Sequence, residues 1–549
     1  MVGVGILHFF RGNHFILQRL EGRFKFSFPL TDKNGARERE AGTVPAKTSG
    51  IMVSATPIPE SRCSTGVDGL NTVLQGGFPA HRIYLIQGAP GVGKTTLALQ
   101  FLLAGLARGE KGLYITLSET KEELDGVAHS HGWKLDELAL FELSAMEEQI
   151  KGETESTFFH PSEVELNRTI QILLAEIERV NPARLVFDSL SEMRMLAETP
   201  LRYRRQILRL KQFLAGRKCT VLFLDDCASN DHDVQSIVHG VINLRRLSPE
   251  FGASRRQINV QKVRGVRFIE GNHDYTIETG GMIVFPRLVA NTHRTEFTSP
   301  RTLLTGVAAL DQLLGGGIDH GTSTMLMGPP GCGKSTLASL VSYVSAERGE
   351  KVLFFSFDEV SATLLSRSAQ LGMDLRPHVE SGRIELQQID PAEISPGELT
   401  DRIRHAVLVK GAGVVVIDSI NGFLNAMPEE RHLNLQLHEL LSFLNQQGVS
   451  TIMVLAQQGV IGLMQSSVDL TYLADTVLLF RYFEAEGAIH QAISVMKKRS
   501  GDHERTIREF SVGPGGIKIG LPLTDMHGVL TGVPTLRTNA PTDANKPAA

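Results

Sequence analysis

Two copies of the phosphate-binding pattern G-x-x-x-x-G-K-[ST] stand at matching places in the two halves of the chain, over residues 88–95 and 328–335. Their lysines, Lys94 and Lys334, lie 240 positions apart. The glycines of this pattern let successive backbone N–H groups curl around phosphate oxygens, the lysine reaches the β- and γ-phosphates, and the final hydroxyl binds Mg²⁺. Two matches in register argue against chance and predict two nucleotide sites.

The residues that we predict to bind ATP are the loop glycines, the residue between the last two of them, the lysine and the two residues after it. They are Gly88, Gly91, Val92, Gly93, Lys94, Thr95 and Thr96 in the first half, and Gly328, Gly331, Cys332, Gly333, Lys334, Ser335 and Thr336 in the second. The hydroxyls of Thr95 and Ser335 are the predicted Mg²⁺ ligands. A helix should begin at each lysine, so that its N-terminal dipole faces the phosphates.

The repeat extends well beyond the loops. The T-G-V motif of residues 65–67 recurs at 305–307, and R-G-E-K of residues 108–111 recurs at 348–351, each after 240 positions. A repeating unit of this length can bury a core of its own, so the pattern indicates a duplicated domain rather than a short-period solenoid.

The repeat sets the predicted domain boundaries. We expect a first domain over residues 56–296, a second over 297–521 and a C-terminal tail over 522–549. Residues 1–51 do not fit the duplicated plan, and we interpret them as an extension before a start at Met52, with a disordered arm or a targeting-like presequence as the alternatives.

The composition predicts a cytoplasmic chain with no membrane or nucleic-acid partner. No apolar run approaches the length of a membrane-spanning helix, and the net charge is only −4 over 549 residues. Four cysteines, Cys63, Cys219, Cys227 and Cys332, show no C-x-x-C or zinc spacing. That pattern indicates a reducing compartment and no structural metal.

Within each half, short apolar strands alternate with longer helical patterns. This alternation predicts an α/β fold with a mainly parallel twisted sheet and helices on both faces. Residues 83–87 and 324–327 are the strands expected to lead into the two phosphate loops.

Carboxylates follow two of the predicted strands in each half. Glu119 and Glu359, again 240 positions apart, follow the strand after the phosphate loop, where a base that activates water belongs. Asp188 and Asp418 end later apolar strands and are predicted to bind Mg²⁺ through water, as a Walker-B aspartate does. A turn or helix cap is the alternative for a lone aspartate, but the recurrence in both halves favours the metal role.

A basic pair spaced by one residue lies near the end of each half, Lys262 with Arg264 and Lys497 with Arg499. On a strand, residues two apart share a face, so each pair is predicted to address one phosphate group. A solvated strand face is the alternative, and chain order alone does not say whose nucleotide the pairs contact.

Together these residues resemble the duplicated RecA-type ATPases of the KaiC family, over about Ser61 to Thr535. The resemblance implies two tandem RecA-like domains and a homohexamer of two stacked rings with ATP and Mg²⁺ between neighbouring subunits. It also implies that each Lys-x-Arg pair reaches the neighbour's phosphates. His503 matches a nucleotide-contacting position of the family, whereas the first half has Phe268 there.

The departures from the family's pattern affect the expected chemistry. Where the family has two adjacent glutamates, the first half has Ser118 and Glu119, and the second has Asp358 and Glu359. Glu119 is then the sole candidate base of the first site, whereas Asp358 and Glu359 share the catalytic role in the second. Because Asp358 is one methylene shorter than glutamate, we expect altered rates.

A second candidate activity is self-phosphorylation in the second domain. Thr471 and Tyr472 occupy the family's adjacent phosphoacceptor positions. Thr471 keeps a suitable hydroxyl, but tyrosine carries its oxygen several Å further out, so a dual Ser/Thr cycle is not expected. An ordinary threonine is the alternative at 471, and Ser466 and Ser467 are weaker candidates.

Three functions compete at this point. The leading one is a KaiC-like ATP-hydrolysing hexameric switch in signalling or timing, with signalling regulators as partners and Thr471 as a candidate autokinase acceptor. The second is a RecA- or RadA-like DNA-dependent recombination ATPase, which a pI near 6.5 and a single tryptophan disfavour. The third makes the first ring a nucleotide-locked scaffold, with the second loop as the place of phosphoryl transfer.

Overall fold

The computed structural model describes residues 5–7, 15–20, 23–27, 61–143, 161–226, 232–249, 252–290, 301–425, 432–457, 459, 470–531 and 534–536. The chain divides into two compact units, Met1–Glu60 and Ser61–Ala549. In the first unit, β1 (Gly5–Leu7), β2 (Phe15–Leu20) and β3 (Arg23–Ser27) form an antiparallel sheet. The predicted role of residues 1–51 and the three predicted domain boundaries stay predictions.

The second unit contains two α/β halves, of which the first has eleven described strands and seven described helices. The strands are β4 (Arg62–Cys63), β5 (Phe78–Pro79), β6 (Ile83–Gln87), β7 (Gly112–Thr116), β8 (Ala139–Glu142), β9 (Arg184–Asp188), β10 (Thr220–Asp225), β11 (Gly240–Leu247), β12 (Arg255–Val263), β13 (Asn272–Glu278) and β14 (Gly281–Phe285). The helices are α1 (Asp68–Val73), α2 (Lys94–Leu106), α3 (Lys121–Ser130), α4 (Pro161–Val180), α5 (Leu190–Ala197), α6 (Pro200–Leu214) and α7 (His232–Ile237).

The described elements of the second half repeat this plan. Its strands are β15 (Thr302–Leu303), β16 (Ile318–Asp319), β17 (Ser323–Gly328), β18 (Val352–Ser356), β19 (Ile384–Gln388), β20 (Val414–Asp418), β21 (Ser450–Ala456), β22 (Thr476–Ala485), β23 (Ala488–Lys498), β24 (Arg508–Gly513), β25 (Gly516–Pro522), β26 (Met526–His527) and β27 (Thr535–Leu536). Its helices are α8 (Ala308–Leu313), α9 (Lys334–Glu347), α10 (Ser361–Gln370), α11 (Arg376–Glu380), α12 (Pro396–Leu408), α13 (Ile420–Asn425) and α14 (Leu433–Gln446), with a short 3₁₀ helix at Val529–Thr531.

Both halves build a nine-stranded sheet with the same order of strands. The first runs β14-β13-β12-β11-β6-β10-β9-β7-β8, and the second runs β25-β24-β23-β22-β17-β21-β20-β18-β19. In each sheet the six strands from β11 or β22 onward pair in parallel, and the remaining three pair antiparallel at one edge. The predicted tandem RecA-like α/β fold is confirmed.

The central strands are apolar because both of their faces are covered. In β6, Tyr84 and Ile86 belong to one buried cluster, whereas Ile83 and Leu85 belong to another. Successive side chains of a strand point to opposite faces, so the two clusters lie on opposite sides of the sheet. This burial fixes the strand that delivers the first phosphate loop.

The T-G-V motif holds the chain before the first helix of each half. The backbone N–H of Thr65 donates to Asn71 Oδ1 at 2.8 Å, and that of Thr305 donates to Asp311 Oδ1 at 2.8 Å. The motif is therefore a structural signature of the repeat. Among the helices of the described residues, none is both long and apolar enough to span a membrane.

Candidate active sites

Each phosphate loop connects a buried central strand to a helix that begins at the predicted lysine. Gly91 and Gly93 adopt φ values of 78° and 96°, a left-handed conformation that favours glycine. A Cβ on Gly93 would lie 2.4 Å from Ile277 Cδ1, and one on Gly333 would lie 2.6 Å from a ring carbon of Phe510. Glycine is thus favoured at 91 by conformation alone, and at 93 and 333 by conformation and by space.

Both lysines fold back over their own loops. Lys94 Nζ donates to the carbonyl oxygens of Gly88 at 2.8 Å and Ala89 at 3.2 Å. Lys334 Nζ donates to those of Gly328 at 2.9 Å and Pro329 at 2.6 Å. Burial lowers the pKa of Lys334, so an incoming anion would stabilise its charged form. The two ammonium groups therefore lie within their own phosphate loops.

The residues predicted to hold Mg²⁺ lie together in the second half. Burial raises the pKa of the Asp418 carboxyl to about 6, and the Ser335 hydroxyl, close enough to interact with that carboxyl, opposes the rise. One hydroxyl and one carboxylate suit Mg²⁺, which keeps several waters and takes further oxygens from phosphates. Within the described ranges, no cluster of three or more His, Cys, Asp or Glu able to hold a metal occurs.

In the first half the corresponding aspartate has a different partner. The Tyr114 hydroxyl donates to Asp188 Oδ2 at 2.5 Å, and Thr95 also hydrogen-bonds with Tyr114. Burial raises the pKa of Asp188. The predicted pair Thr95 and Asp188 is therefore linked through a tyrosine that the sequence patterns did not single out. The peptide bonds Asp188–Ser189 and Asp418–Ser419 are both cis.

Glu119 is the carboxylate best suited to accept a proton. Burial and the nearby carboxylates of Asp188, Glu123 and Asp226 raise its pKa to about 7, against an opposing effect of Lys94. Its Oε2 atom is buried and has no hydrogen-bond partner. A general base works best when its pKa lies near the working pH, so this environment suits the base that the sequence predicts at Glu119.

The carboxylates of the second site are engaged by neighbouring side chains. Arg367 donates from Nε to Glu359 Oε1 at 3.1 Å and from Nη2 to Glu359 Oε2 at 2.8 Å. Asp358 Oδ2 accepts from the Ser419 hydroxyl at 2.5 Å. The two sites thus hold their predicted bases in different ways.

Sequence reasoning missed Asp226, Tyr114 and Arg367. Asp226 follows the apolar strand β10 and forms an ion pair with Lys94, with Oδ1 and Nζ 2.6 Å apart. The pattern that singled out Asp188, an apolar strand ending in an acidic residue, would also have found Asp226. No local pattern signals Tyr114, inside a buried strand, or Arg367, eight residues beyond Glu359.

The basic pairs lie toward the amino-terminal ends of the central strands, whereas the phosphate loops follow the carboxyl-terminal ends. The Arg499 backbone N–H donates to the Asp475 carbonyl at 3.0 Å, and the Asp475 N–H donates to the carbonyl of Ser323, the first residue of β17, at 2.8 Å. The phosphate loop leaves the other end of β17, at Gly328. In the first half, β11 pairs Val241 with Lys262 on one side and with Leu85 of β6 on the other, and Arg264 follows β12.

The other predicted residues of the second half also lie near the amino-terminal ends of the central strands. Lys497 Nζ donates to the Thr471 carbonyl at 3.0 Å, and Arg499 Nη2 donates to the Tyr472 carbonyl at 2.8 Å. The Tyr472 side chain is exposed. His503 lines an open hollow of about 560 Å³ beside Gly315. Ser466, Ser467 and Cys227 lie outside the described residues.

Comparisons with known proteins agree with this geometry. A family model described as "ATPase: KaiC" matches the chain twice, over residues 63–289 and 303–523. The chain is 25% identical over 482 residues to the circadian clock oscillator protein KaiC of Picosynechococcus sp., covering 86% of this chain and 92% of that protein. It is 25% identical over 493 residues to the KaiC protein of Synechococcus elongatus, with coverage of 86% and 92%. The KaiC protein of Thermosynechococcus vestitus is 24% identical over 484 residues, with coverage of 86% and 91%.

Proposed function

Because the chain belongs to the KaiC family of ATPases, we propose that it binds ATP with Mg²⁺ at both phosphate loops and hydrolyses it there as a hexameric switch. The observation that carries this proposal is the unpartnered Oε2 of Glu119 in a buried site that also contains Lys94, Thr95 and Asp188. No observation on the described residues favours the DNA-dependent recombination alternative.

The residues supply a complete set of parts for hydrolysis. Glu119 in the first site, and Glu359 in the second, takes a proton from a water molecule as its oxygen attacks the γ-phosphorus. The bond from that phosphorus to the bridging oxygen breaks, and ADP leaves with the electron pair. Lys94 and Lys334 compensate the charge on the phosphate oxygens. Bound Mg²⁺, held by Thr95 or Ser335 with Asp188 or Asp418 through water, supplies further charge neutralisation.

We further propose that the subunits form a homohexamer with ATP at their interfaces. In one chain, Arg499 lies level with Ser323, about 17 Å along β17 from Gly328 of the phosphate loop, and Lys497 lies level with Met325, about 10 Å from it. A head-to-tail ring brings one side of a subunit against the opposite side of the next, so that a basic pair can face the neighbour's phosphate loop. Lys262 and Arg264 would act in the same way in the first ring, and His503 would join the nucleotide contacts of the second.

The same arrangement supports two narrower proposals. The curated relatives are named circadian clock oscillator proteins, which suggests a role in signalling or timing, with regulator proteins as partners and the cytoplasm as the location. Thr471 lies in the turn that Lys497 and Arg499 contact, so a neighbour's ATP bound by this basic pair would lie near the Thr471 hydroxyl. Thr471 is therefore the candidate autokinase acceptor.

Base variants combined with native mass spectrometry test the proposal. ATP turnover should fall by at least about tenfold in the double variant Glu119→Gln with Glu359→Gln, since loss of a general base typically costs 10²–10⁴-fold. Each single variant should retain the turnover of the other site. Mass spectra after incubation with ATP and Mg²⁺ should show six subunits, bound nucleotides and any added phosphate. Unchanged turnover in the double variant would exclude these bases, a monomer would exclude the ring, and a hexamer without phosphate would exclude the autokinase.

A further inference from the structure

The two predicted bases differ in one contact that neither the family match nor the sequence pattern assigns. Glu359 accepts hydrogen bonds on both carboxylate oxygens from the Arg367 guanidinium, at 3.1 and 2.8 Å. Two parallel N–H···O bonds between a guanidinium and a carboxylate form the strongest common type of ion pair. The side chains are only 29% and 26% exposed, so solvent screens the pair less than it would at the surface.

Arg367 also contacts the phosphate loop helix. Its Nη1 atom donates to Thr336 Oγ1 at 2.9 Å, and Thr336 is the third residue of α9, two positions after Lys334. The guanidinium therefore bridges the base and the helix that begins at the phosphate loop. Because three of its N–H groups are committed in this way, its position is determined from both sides.

The first half provides a natural comparison. Helices α3 and α10 correspond at the 240-residue offset, and the residue of α3 that matches Arg367 is Val127. Val127 packs against the apolar core of the first half. Glu119, the matching base, keeps a buried oxygen with no partner. The two sites thus present the same carboxylate with and without a guanidinium on it.

A guanidinium on both oxygens weakens a carboxylate as a base. It stabilises the ionised form and so lowers the tendency to take a proton, and it fixes the direction of the carboxylate. We infer that Arg367 is a positioning residue that restrains Glu359 and keeps ATP turnover at the second site slower than an unrestrained glutamate would allow. This inference rests on the proposed function of Glu359.

The test compares variants in a Glu119→Gln background, where the second site carries the turnover. Replacing Arg367 by Gln removes the guanidinium from both carboxylate oxygens and should raise kcat about three- to tenfold, because the released carboxylate can turn toward the water and accepts its proton more readily. The KM for ATP should stay within about twofold, because Glu359 acts in the chemical step. Arg367→Lys keeps the charge but not the fork and should give a smaller rise.

Two controls separate the possible failures. Arg376→Gln removes another arginine–carboxylate pair, Arg376 with Asp374 at 2.9 Å on the exposed surface, and should leave kcat unchanged. Adding Glu359→Gln to the background should abolish turnover. If it does not, the proposed base is wrong, and the inference falls with it. If it does, but Arg367→Gln and Arg367→Lys leave kcat unchanged or lower while thermal unfolding shows folded protein, the inference alone is overturned.

Discussion

At the scale of single residues, the two halves separate most clearly at their carboxylates. Glu119 has an environment that raises its pKa to about 7 and leaves one oxygen without a partner, whereas Glu359 is held by Arg367. The scaffold hypothesis for the first ring makes the second site the place of phosphoryl transfer. That division of labour stays a prediction, and the contacts of Glu119 favour the first site as an efficient place of hydrolysis.

The raised pKa of Glu119 predicts how the first site responds to pH. The base works only as a carboxylate, so ATP turnover in a Glu359→Gln background should rise with pH through about 7 and level off above it. Initial rates between about pH 5.5 and 9 measure this, with the Glu119→Gln, Glu359→Gln double variant as baseline. A rate independent of pH across that range would contradict the assignment of Glu119 as the base.

Tyr114 provides a second test at this scale. Its hydroxyl bonds Asp188 at 2.5 Å, whereas the matching residue of the second half is Phe354, so the fold accommodates phenylalanine in this strand. Residues that orient a metal-shell carboxylate typically contribute 10- to 100-fold. In the Glu359→Gln background, Tyr114→Phe should therefore reduce turnover about tenfold and raise the Mg²⁺ concentration required. A Mg²⁺ titration unchanged from that of the parent variant would show that this hydroxyl has no such role.

At the scale of elements, β13 contacts both the first phosphate loop and the second half of the chain. The Tyr275 hydroxyl donates to the Val92 carbonyl in the loop at 2.6 Å. The neighbouring Asp274 accepts from the Gly397 N–H at 2.8 Å, in the first turn of α12. One strand of the antiparallel edge therefore supports the loop and also caps a helix of the other half.

Removing this cap should destabilise the protein. Asp274→Ala leaves the partly buried Gly397 N–H without its acceptor, and loss of a helix-capping side chain typically costs about 1 kcal/mol. The measurement is urea unfolding followed by circular dichroism at neutral pH. Asp68→Ala, at the exposed start of α1 where no side chain caps the helix, is the matched control and should change stability by less than about 0.5 kcal/mol. Equal effects of the two substitutions would exclude a specific capping role.

At the scale of the whole molecule, the predicted site residues of each half lie toward the two opposite ends of the central strands. The phosphate loop and its carboxylates lie at the carboxyl-terminal ends of these strands, and the basic pair lies toward the amino-terminal ends. A single chain cannot bring its phosphate loop and its basic pair together, because the buried strands that separate them are rigid. The geometry therefore favours sites completed between subunits.

Subunit mixing tests completion between subunits. In a Glu119→Gln background, Arg499→Gln and Glu359→Gln should each reduce turnover when the proteins are assayed alone. Arg499 suits this purpose because its side chain is 53% exposed, so its replacement should leave the fold intact. Mixed rings contain interfaces with a native Glu359 on one side and a native Arg499 on the other, so equal mixing should restore about a quarter of the parent turnover. No recovery, with mixed rings visible by mass spectrometry, would show that the pair does not act across the interface.

Much of the architecture could be predicted from the sequence, because the decisive signals are local. A glycine-rich loop between an apolar strand and a helix determines where Lys94 and Lys334 lie, and the 240-residue offset shows that the unit occurs twice. Strand-end carboxylates at Asp188 and Asp418 follow from strand order, since parallel strands end at one edge. The duplicated α/β fold and the family resemblance rest on these patterns alone, and both are confirmed.

The tertiary structure decided which partners those residues have. Asp226 on Lys94, Tyr114 on Asp188 and Arg367 on Glu359 are contacts between different elements, set by how helices and strands pack rather than by local sequence. The same packing places the basic pairs toward the amino-terminal ends of the central strands, away from the phosphate loops. The sequence thus determined that the phosphate-loop motif occurs twice, and only the fold determined that the two predicted bases have different surroundings, because a carboxylate's basicity depends on the charges and the burial around it in space.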